Sequence, residues 1–228
     1  MADDYAETTA PVEFGPMGGR DKVHMTLRDT TANPGVLGLM AFGMTTLLLN
    51  IHNAGIYELN VMILAMGVFY GGLAQVIAGI MEWKKNSTFG MTAFLSYGFF
   101  WMTVVFLILV PKLSPWAAFA PSETAMGYYF LAWGMFTGLM FIGTLRINRS
   151  LQTVFLSLTV LFVLLAFRDW AGGAASAETL FGISGKTWGH IAGWEGIFVA
   201  FSAIYGSIAQ IWNELYGRVV LPLGPYHM

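Results

Sequence analysis

The side chains that could do chemistry in this chain are few and mostly uncharged. It has no cysteine, which excludes disulfides, thiolate metal sites and cysteine nucleophiles. Its four histidines are His24, His52, His190 and His227. They supply no intramembrane pair for haem, and no His/Asp/Glu cluster has metal-ligand spacing. No P-loop or dinucleotide glycine fingerprint is present, and no nucleophile elbow accompanies His190. The sequence therefore reads as a non-enzyme without metal or cofactor. What remains is a set of amides and hydroxyls, among them Thr45, Thr46, Asn50, Gln75, Thr103 and Gln210, together with one isolated acid, Glu195. Single hydroxyls in apolar helices usually bond back to their own helix. Their number here is better explained by a narrow, partly wet path for a small polar solute. No acidic ring that would select metal cations is present.

Three features stand out by spacing. Asn33-Pro34 precedes an apolar run. Asn is a strong N-cap and Pro fits the first helical turn, so a helix should start here with its unpaired N–H groups and positive dipole end free to attract an anion. At the edge of a pore that start would make a carboxylate-binding mouth. Gly67, Gly71, Gln75 and Gly79 recur every four residues, which puts three glycines and one amide on one helical stripe. Small residues allow close helix approach in lipid. An amide facing lipid would leave its hydrogen-bonding groups unpaired, so Gln75 must face another helix or water. Glu195 lies inside an apolar stretch. It reads either as a proton-linked group or as an interfacial acid that is paired or wet.

These residues need elements to hold them, and composition names the elements. Of 228 residues, 56% are hydrophobic and 11% charged, with a mean hydropathy of +0.63. A soluble domain carries about a quarter charged residues, so an ordinary soluble enzyme is excluded. A net charge of −2 gives no electrostatic case for nucleic acid. Charge-free gaps run from Thr30 to Tyr57, Leu59 to Met81, Asn86 to Pro111, Thr124 to Leu145 and Ser150 to Phe167. A sixth, Thr187 to Asn213, is broken only by Glu195. Crossing a bilayer takes about 20 apolar residues. The fold class is all-α, with six transmembrane helices predicted at Val36–Ile51, Val61–Met81, Met91–Val110, Met126–Leu145, Leu151–Phe167 and His190–Asn213. The expected organisation is a polar, flexible or surface-lying tail over 1–32, a transport domain over 33–216 and a short C-terminal tail over 217–228. Basic residues gather at one side: Arg20, Lys22 and Arg28, Lys84 and Lys85, Arg146 and Arg149, and Arg218. The positive-inside rule puts that side, with both termini, in the cytoplasm.

The motifs also carry a likeness. Asn33-Pro34-Gly35-Val36-Leu37-Gly38-Leu39 resembles the NPAPLGL signature of the acetate uptake transporter family, departing at Gly35 and Val36. Bacterial succinate–acetate permeases are the nearest likeness. It continues through Phe42-Gly43-Met44-Thr45-Thr46, Phe69-Tyr70-Gly71-Gly72-Leu73-Ala74-Gln75, Ser96-Tyr97-Gly98 and Phe155-Leu156-Ser157-Leu158, and covers roughly residues 32–224.

The resemblance implies a six-helix protomer with a pore through its own bundle, assembled as a homohexamer in the cytoplasmic (inner) membrane. It would carry acetate, and succinate or other short carboxylates, by a channel-like or proton-linked route. The resemblance places an apolar constriction at Phe42, Tyr97 and Leu158. An apolar neck dewets and so blocks water and ions. Asn33, Pro34, Asn50, Gln75 and Trp101 are the candidate substrate contacts. A proton-carrying role for Glu195 stays open. A pore for ammonia or water, or a membrane scaffold without flux, are the alternatives.

Overall fold

A computed structural model of the chain describes residues 8–9, 26–27, 31–113, 115–173 and 177–225. The chain divides into two compact units, Met1–Asn33 and Pro34–Met228. In the first, the described residues include one antiparallel pair, β1 (Thr8–Thr9) with β2 (Thr26–Leu27). The expected flexible tail otherwise falls outside the described residues.

The second unit is built of helices long and apolar enough to cross a membrane. They are α1 (Gly35–Asn53), α2 (Val61–Lys84), α3 (Thr88–Leu109), α4 (Glu123–Thr144), α5 (Arg149–Trp170) and α6 (Gly185–Tyr216). Between α5 and α6 sits a small hairpin, β3 (Thr179–Leu180) and β4 (Ile183–Ser184). The six predicted spans match these helices one for one. Their ends differ, because charge-free gaps mark lipid and not hydrogen bonding. Ser and Asn caps set the true starts. Asn148 Oδ1 accepts from Leu151 N at 2.8 Å, and Ser184 Oγ accepts from Thr187 N at 3.3 Å. Those caps begin α5 and α6 earlier than predicted. At about 1.5 Å per residue the 32 residues of α6 exceed the roughly 30 Å hydrocarbon core.

Two further departures are informative. The expected cap at Asn33 moves by one residue. Pro34 takes the position flanking α1, with φ −73° and ψ −22°, because the ring holds φ at a helical value. Its carbonyl accepts from Gly38 N at 3.2 Å. The other departure is in α2, where Met66–Ala74 is a π-helix between two α-helical segments, Val61–Ala65 and Gln75–Lys84. The strict four-residue stripe through Gly67, Gly71 and Gln75 is therefore wound on a wider turn.

Each helix packs beside its neighbour in sequence, and α6 closes against α1. The result is a ring of six antiparallel neighbours. Its seams differ in width. A Cβ on Gly193 of α6 would collide with the backbone of Ala54 at the end of α1, and a Cβ on Gly43 would sit 3.0 Å from the Ala200 carbonyl. That seam is close because it is stripped of side chains. The α3–α4 seam is held apart by rings. Phe100 meets Trp133 at 5.0 Å and Tyr97 meets Phe136 at 5.7 Å between centroids. Large apolar side chains such as Phe69, Phe106, Met135, Leu139 and Phe201 point outward.

Residues 220–225, placed in a tail by sequence, return to the start of α5. Arg149 N donates to Gly224 O at 3.0 Å and Ser150 N to Leu223 O at 3.1 Å. Asn213 Oδ1 holds the return by accepting from Val220 N at 2.7 Å and Leu221 N at 3.0 Å.

The glycine seam makes a paired prediction. Gly193→Ala should destabilise the protein by about 1–3 kcal/mol, because its methyl meets immovable backbone. Gly138→Ala places its methyl at an ordinary 3.6 Å from Thr159 and should be neutral or stabilising by up to about 1 kcal/mol through helix propensity. Thermal unfolding of both variants in detergent checks the contrast in sign.

Candidate transport path

The centre of the ring is packed with aromatic residues at mid-helix. Phe42 of α1 faces Tyr97 of α3 with centroids 5.9 Å apart. Tyr97 also meets Phe155 of α5 at 6.0 Å and Trp133 of α4 at 6.2 Å. Its hydroxyl shares a 2.8 Å hydrogen bond with Thr137 Oγ1, which in turn donates to the Trp133 carbonyl at 2.7 Å. Tyr97 therefore presents its ring inward with its polar atom already satisfied. Phe42, Tyr97 and Leu158 are each buried, and all three belong to one apolar cluster.

Beside this plug a cavity of about 230 Å³ opens toward the end of the ring where α1 and α5 finish and α4 and α6 begin. That is room for several water molecules at about 30 Å³ each. Phe42 and Leu158 line its deep part with Phe100 and Trp101. Asn50, His52, Asn53 and Arg168 line its outer part. The walls are mainly apolar, from Val104, Ile108, Leu161, Phe162 and Leu165. The volume is small for a drug-sized ligand and suited to one of a few heavy atoms.

The polar groups on this cavity fall into two kinds. Some are already used. Asn50 Nδ2 donates to the Thr46 carbonyl at 2.8 Å, and Asn50 Oδ1 accepts from Asn53 Nδ2 at 3.0 Å. Asn50 also fills the space left by Gly196 of α6. His52 Nδ1 lies 2.9 Å from the Tyr57 carbonyl, so that nitrogen carries the proton. Others are unspent. Trp101 Nε1 and Thr46 Oγ1 are buried and have no hydrogen-bond partner within the protein. A buried unpaired donor costs about 1–3 kcal/mol. An indole N–H can only donate, so the partner that Trp101 lacks is an acceptor.

The π-helical stretch of α2 explains how the indole is seated. A Cβ on Gly71 would lie 2.9 Å from Trp101 Cγ and 2.7 Å from Thr45 Cγ2. Gly71 therefore leaves the hollow in which Trp101 packs. π-turns are often found at functional sites.

The structure gathers four of the candidate residues on the cavity: Phe42, Asn50, Trp101 and Leu158. Tyr97 closes the cluster beneath it. Gln75 is buried as the amide argument requires, and its Oε1 has no partner within the protein, but it does not line the cavity. Pro34 is buried and is not among the residues that line the cavity, and Asn33 is exposed. Glu195 is half-buried on α6 and likewise off the cavity. Two residues were undervalued by sequence. Thr46 looked like an ordinary hydroxyl that bonds back to its own helix. Arg168 falls one residue past the predicted fifth helix, which ends at Phe167, so the sequence gives it no place on the path.

Comparison with known proteins agrees with this architecture. The family described as GPR1/FUN34/yaaH matches over residues 19–225. The chain is 52% identical over 196 residues to the succinate-acetate/proton symporter SatP of Escherichia coli (strain K12), covering 86% of this chain and 97% of that protein. It is 34% identical over 187 residues to the ammonia transport outward protein 2 of Saccharomyces cerevisiae, covering 79% of this chain and 61% of the yeast protein. Among solved structures, that of the bacterial acetate channel SatP superposes with a TM-score of 0.78 at 50% identity, covering 86% of this chain and all of the other. By sequence and by structure alike, this chain belongs to the GPR1/FUN34/yaaH family.

Proposed function

We propose that the protein moves acetate and other short carboxylates, succinate among them, across the cytoplasmic membrane through the centre of its own helix ring. One observation carries this reading. Trp101 and Thr46 line a cavity whose deep end is the apolar neck of Phe42, Tyr97 and Leu158, and each carries a buried donor, Nε1 and Oγ1, without a partner within the protein. A carboxylate brings acceptor oxygens for those donors, and its short alkyl group suits the neck. The names of the relatives, a succinate-acetate/proton symporter and an acetate channel, support the same substrate class.

In this reading the donors hold the anion while the neck excludes water and free ions. Asn50 shapes the wall, and the start of α1 at Pro34 offers helix N–H groups at the opposite end. The basic residues put both termini in the cytoplasm, so the cavity faces outward. The outward apolar side chains meet lipid and further copies of the chain in a homo-oligomer, a hexamer by the family resemblance.

Ammonia is the second reading, favoured by the name of the yeast relative. Hydrogen bonding separates the two. A carboxylate brings two acceptor oxygens for the two donors, whereas ammonia brings a single lone pair and ammonium none. Uptake of labelled acetate into proteoliposomes should be blocked by unlabelled acetate or propionate and not by ammonium. Block by ammonium alone would reverse the assignment, and no uptake above protein-free vesicles would leave a scaffold.

Two substitutions test the parts. Trp101→Phe keeps the ring and removes the donor. It should weaken acetate binding about 10- to 100-fold, the equivalent of about 1.5–3 kcal/mol for a hydrogen bond to a charged partner. Titration calorimetry reads this directly. Leu158→Ala should widen the neck and raise acetate flux in proteoliposomes at equal protein density, and it should admit longer monocarboxylates. It should also cost about 2–5 kcal/mol of stability as a large-to-small core change. Unchanged uptake would remove Leu158 from the gate.

A further inference from the structure

One acid within the ring has no part in the path described so far. Asp169 lies in the last turn of α5 and its side chain is 1% exposed. It continues the stripe Leu158, Phe162, Leu165 at spacings of four, three and four, and those three residues line the cavity. Asp169 is thus one turn beyond the cavity wall on the same face. Arg168, its neighbour, lines the cavity itself. Residues next to each other on a helix point apart, yet Arg168 Nε donates to Asp169 Oδ1 at 2.6 Å. The arginine side chain is bent back against its own helix, and its guanidinium carbon lies 5.6 Å from the Phe130 ring centroid. The other carboxylate oxygen, Asp169 Oδ2, is buried with no partner within the protein.

Other titratable groups lie at this end of the ring. At this end α1 and its loop carry His52 and Tyr57, α4 begins with Glu123, the hairpin segment holds Glu178, and α6 carries Lys186, His190 and Glu195. His52 faces the Tyr57 carbonyl, Glu123 lies against Gly173 and His190 against Gly55. Lys186 is exposed. Among the described residues, the ion pair of Asp169 is with Arg168.

We propose that Asp169 is the proton-accepting group that lets a carboxylate bind at Arg168. This rests on the carboxylate reading given above. With the cavity free of substrate, guanidinium and carboxylate neutralise each other. An incoming carboxylate alone would leave a net negative charge beside Asp169, whose side chain is 1% exposed, and an uncompensated buried charge is strongly unfavourable. A proton from water adding to Asp169 Oδ2 removes that charge. The carboxyl group releases Arg168, the substrate carboxylate takes over the guanidinium, and the site is again neutral. On release the steps reverse: Asp169 gives its proton to water and regains Arg168. One anion and one proton are taken up together. No bond other than O–H forms or breaks.

Calorimetric titration of the full-length protein with acetate at pH 7, repeated in buffers of different ionisation enthalpy, counts the protons. The wild type should take up about one proton per acetate bound, and its affinity should fall about tenfold per pH unit where that uptake holds. Asp169→Asn should bind acetate with proton uptake near zero and with affinity independent of pH. Undiminished uptake in that variant would mean that the substrate or another group carries the proton, and it would overturn the proposal. So would loss of uptake in Glu195→Gln with retention in Asp169→Asn. If Asp169→Asn does not fold, Asp169→Glu decides: it should keep the uptake with a displaced pH midpoint, and an unmoved midpoint would refute the assignment. Absence of acetate binding to the wild type would instead sink the carboxylate reading itself.

Discussion

Hydrocarbon offers a polar atom nothing to bond, and that constraint organises the whole ring. Most hydroxyls in the helices obey it locally. Thr159 donates to the Phe155 carbonyl at 2.8 Å, Ser202 to Val199 at 2.7 Å and Thr144 to Phe141 at 2.6 Å. Each satisfies itself within a turn and needs no neighbour. Among the described residues, the buried side-chain atoms that break the rule are Thr46 Oγ1, Gln75 Oε1, Trp101 Nε1 and Asp169 Oδ2. Two belong to residues that line the cavity and a third to a residue one turn beyond its wall. In the proposed reading, the exceptions on Thr46, Trp101 and Asp169 mark the path of the solute.

The unequal seams explain why the space lies where it does. α6 meets α1 through glycines, so Asn50 can press into the room left by Gly196 and still bond Thr46 and Asn53. That seam has no slack. On the opposite side, Phe100, Trp133, Tyr129 and Tyr97 hold α3 and α4 apart. A ring closed tightly on one side and propped by aromatic residues on the other must leave a void between them. Trp101 borders that void and is aimed by the missing side chain of Gly71.

The lipid-crossing elements were readable in the sequence because hydrocarbon tolerates almost no charge. The same signal misplaced the ends. Arg168 and Asp169 end the charge-free run, so the fifth span was cut at Phe167, although the helix continues to Trp170 with the two side chains paired on it. The π-helix over Met66–Ala74 is not legible in the four-residue spacing of the glycines, which fits an α-helix equally well. Phe42, Tyr97 and Leu158 came from family likeness. Nothing in their spacing could show that three helices far apart in sequence converge. Thr46 was hidden among hydroxyls of the same type, and only its failure to bond back distinguishes it.

The balance of charges sets what such a site can carry. A neck of Phe42, Tyr97 and Leu158 provides no compensating dipole, because the Tyr97 hydroxyl is committed to Thr137. An ion crossing it bare would meet the full desolvation cost. A carboxylate held by donors on the cavity side loses little at that stage, but it cannot keep those donors while passing the neck. The step through the neck is therefore easiest for a small acid that leaves its negative charge behind by taking a proton. A protonatable carboxylate on the same face as the cavity wall, linked to the arginine that borders it, is the arrangement best placed to make proton and anion arrive together. On the proposed reading the apolar neck and the Arg168–Asp169 pair are two halves of one device: the first refuses charge, and the second cancels it.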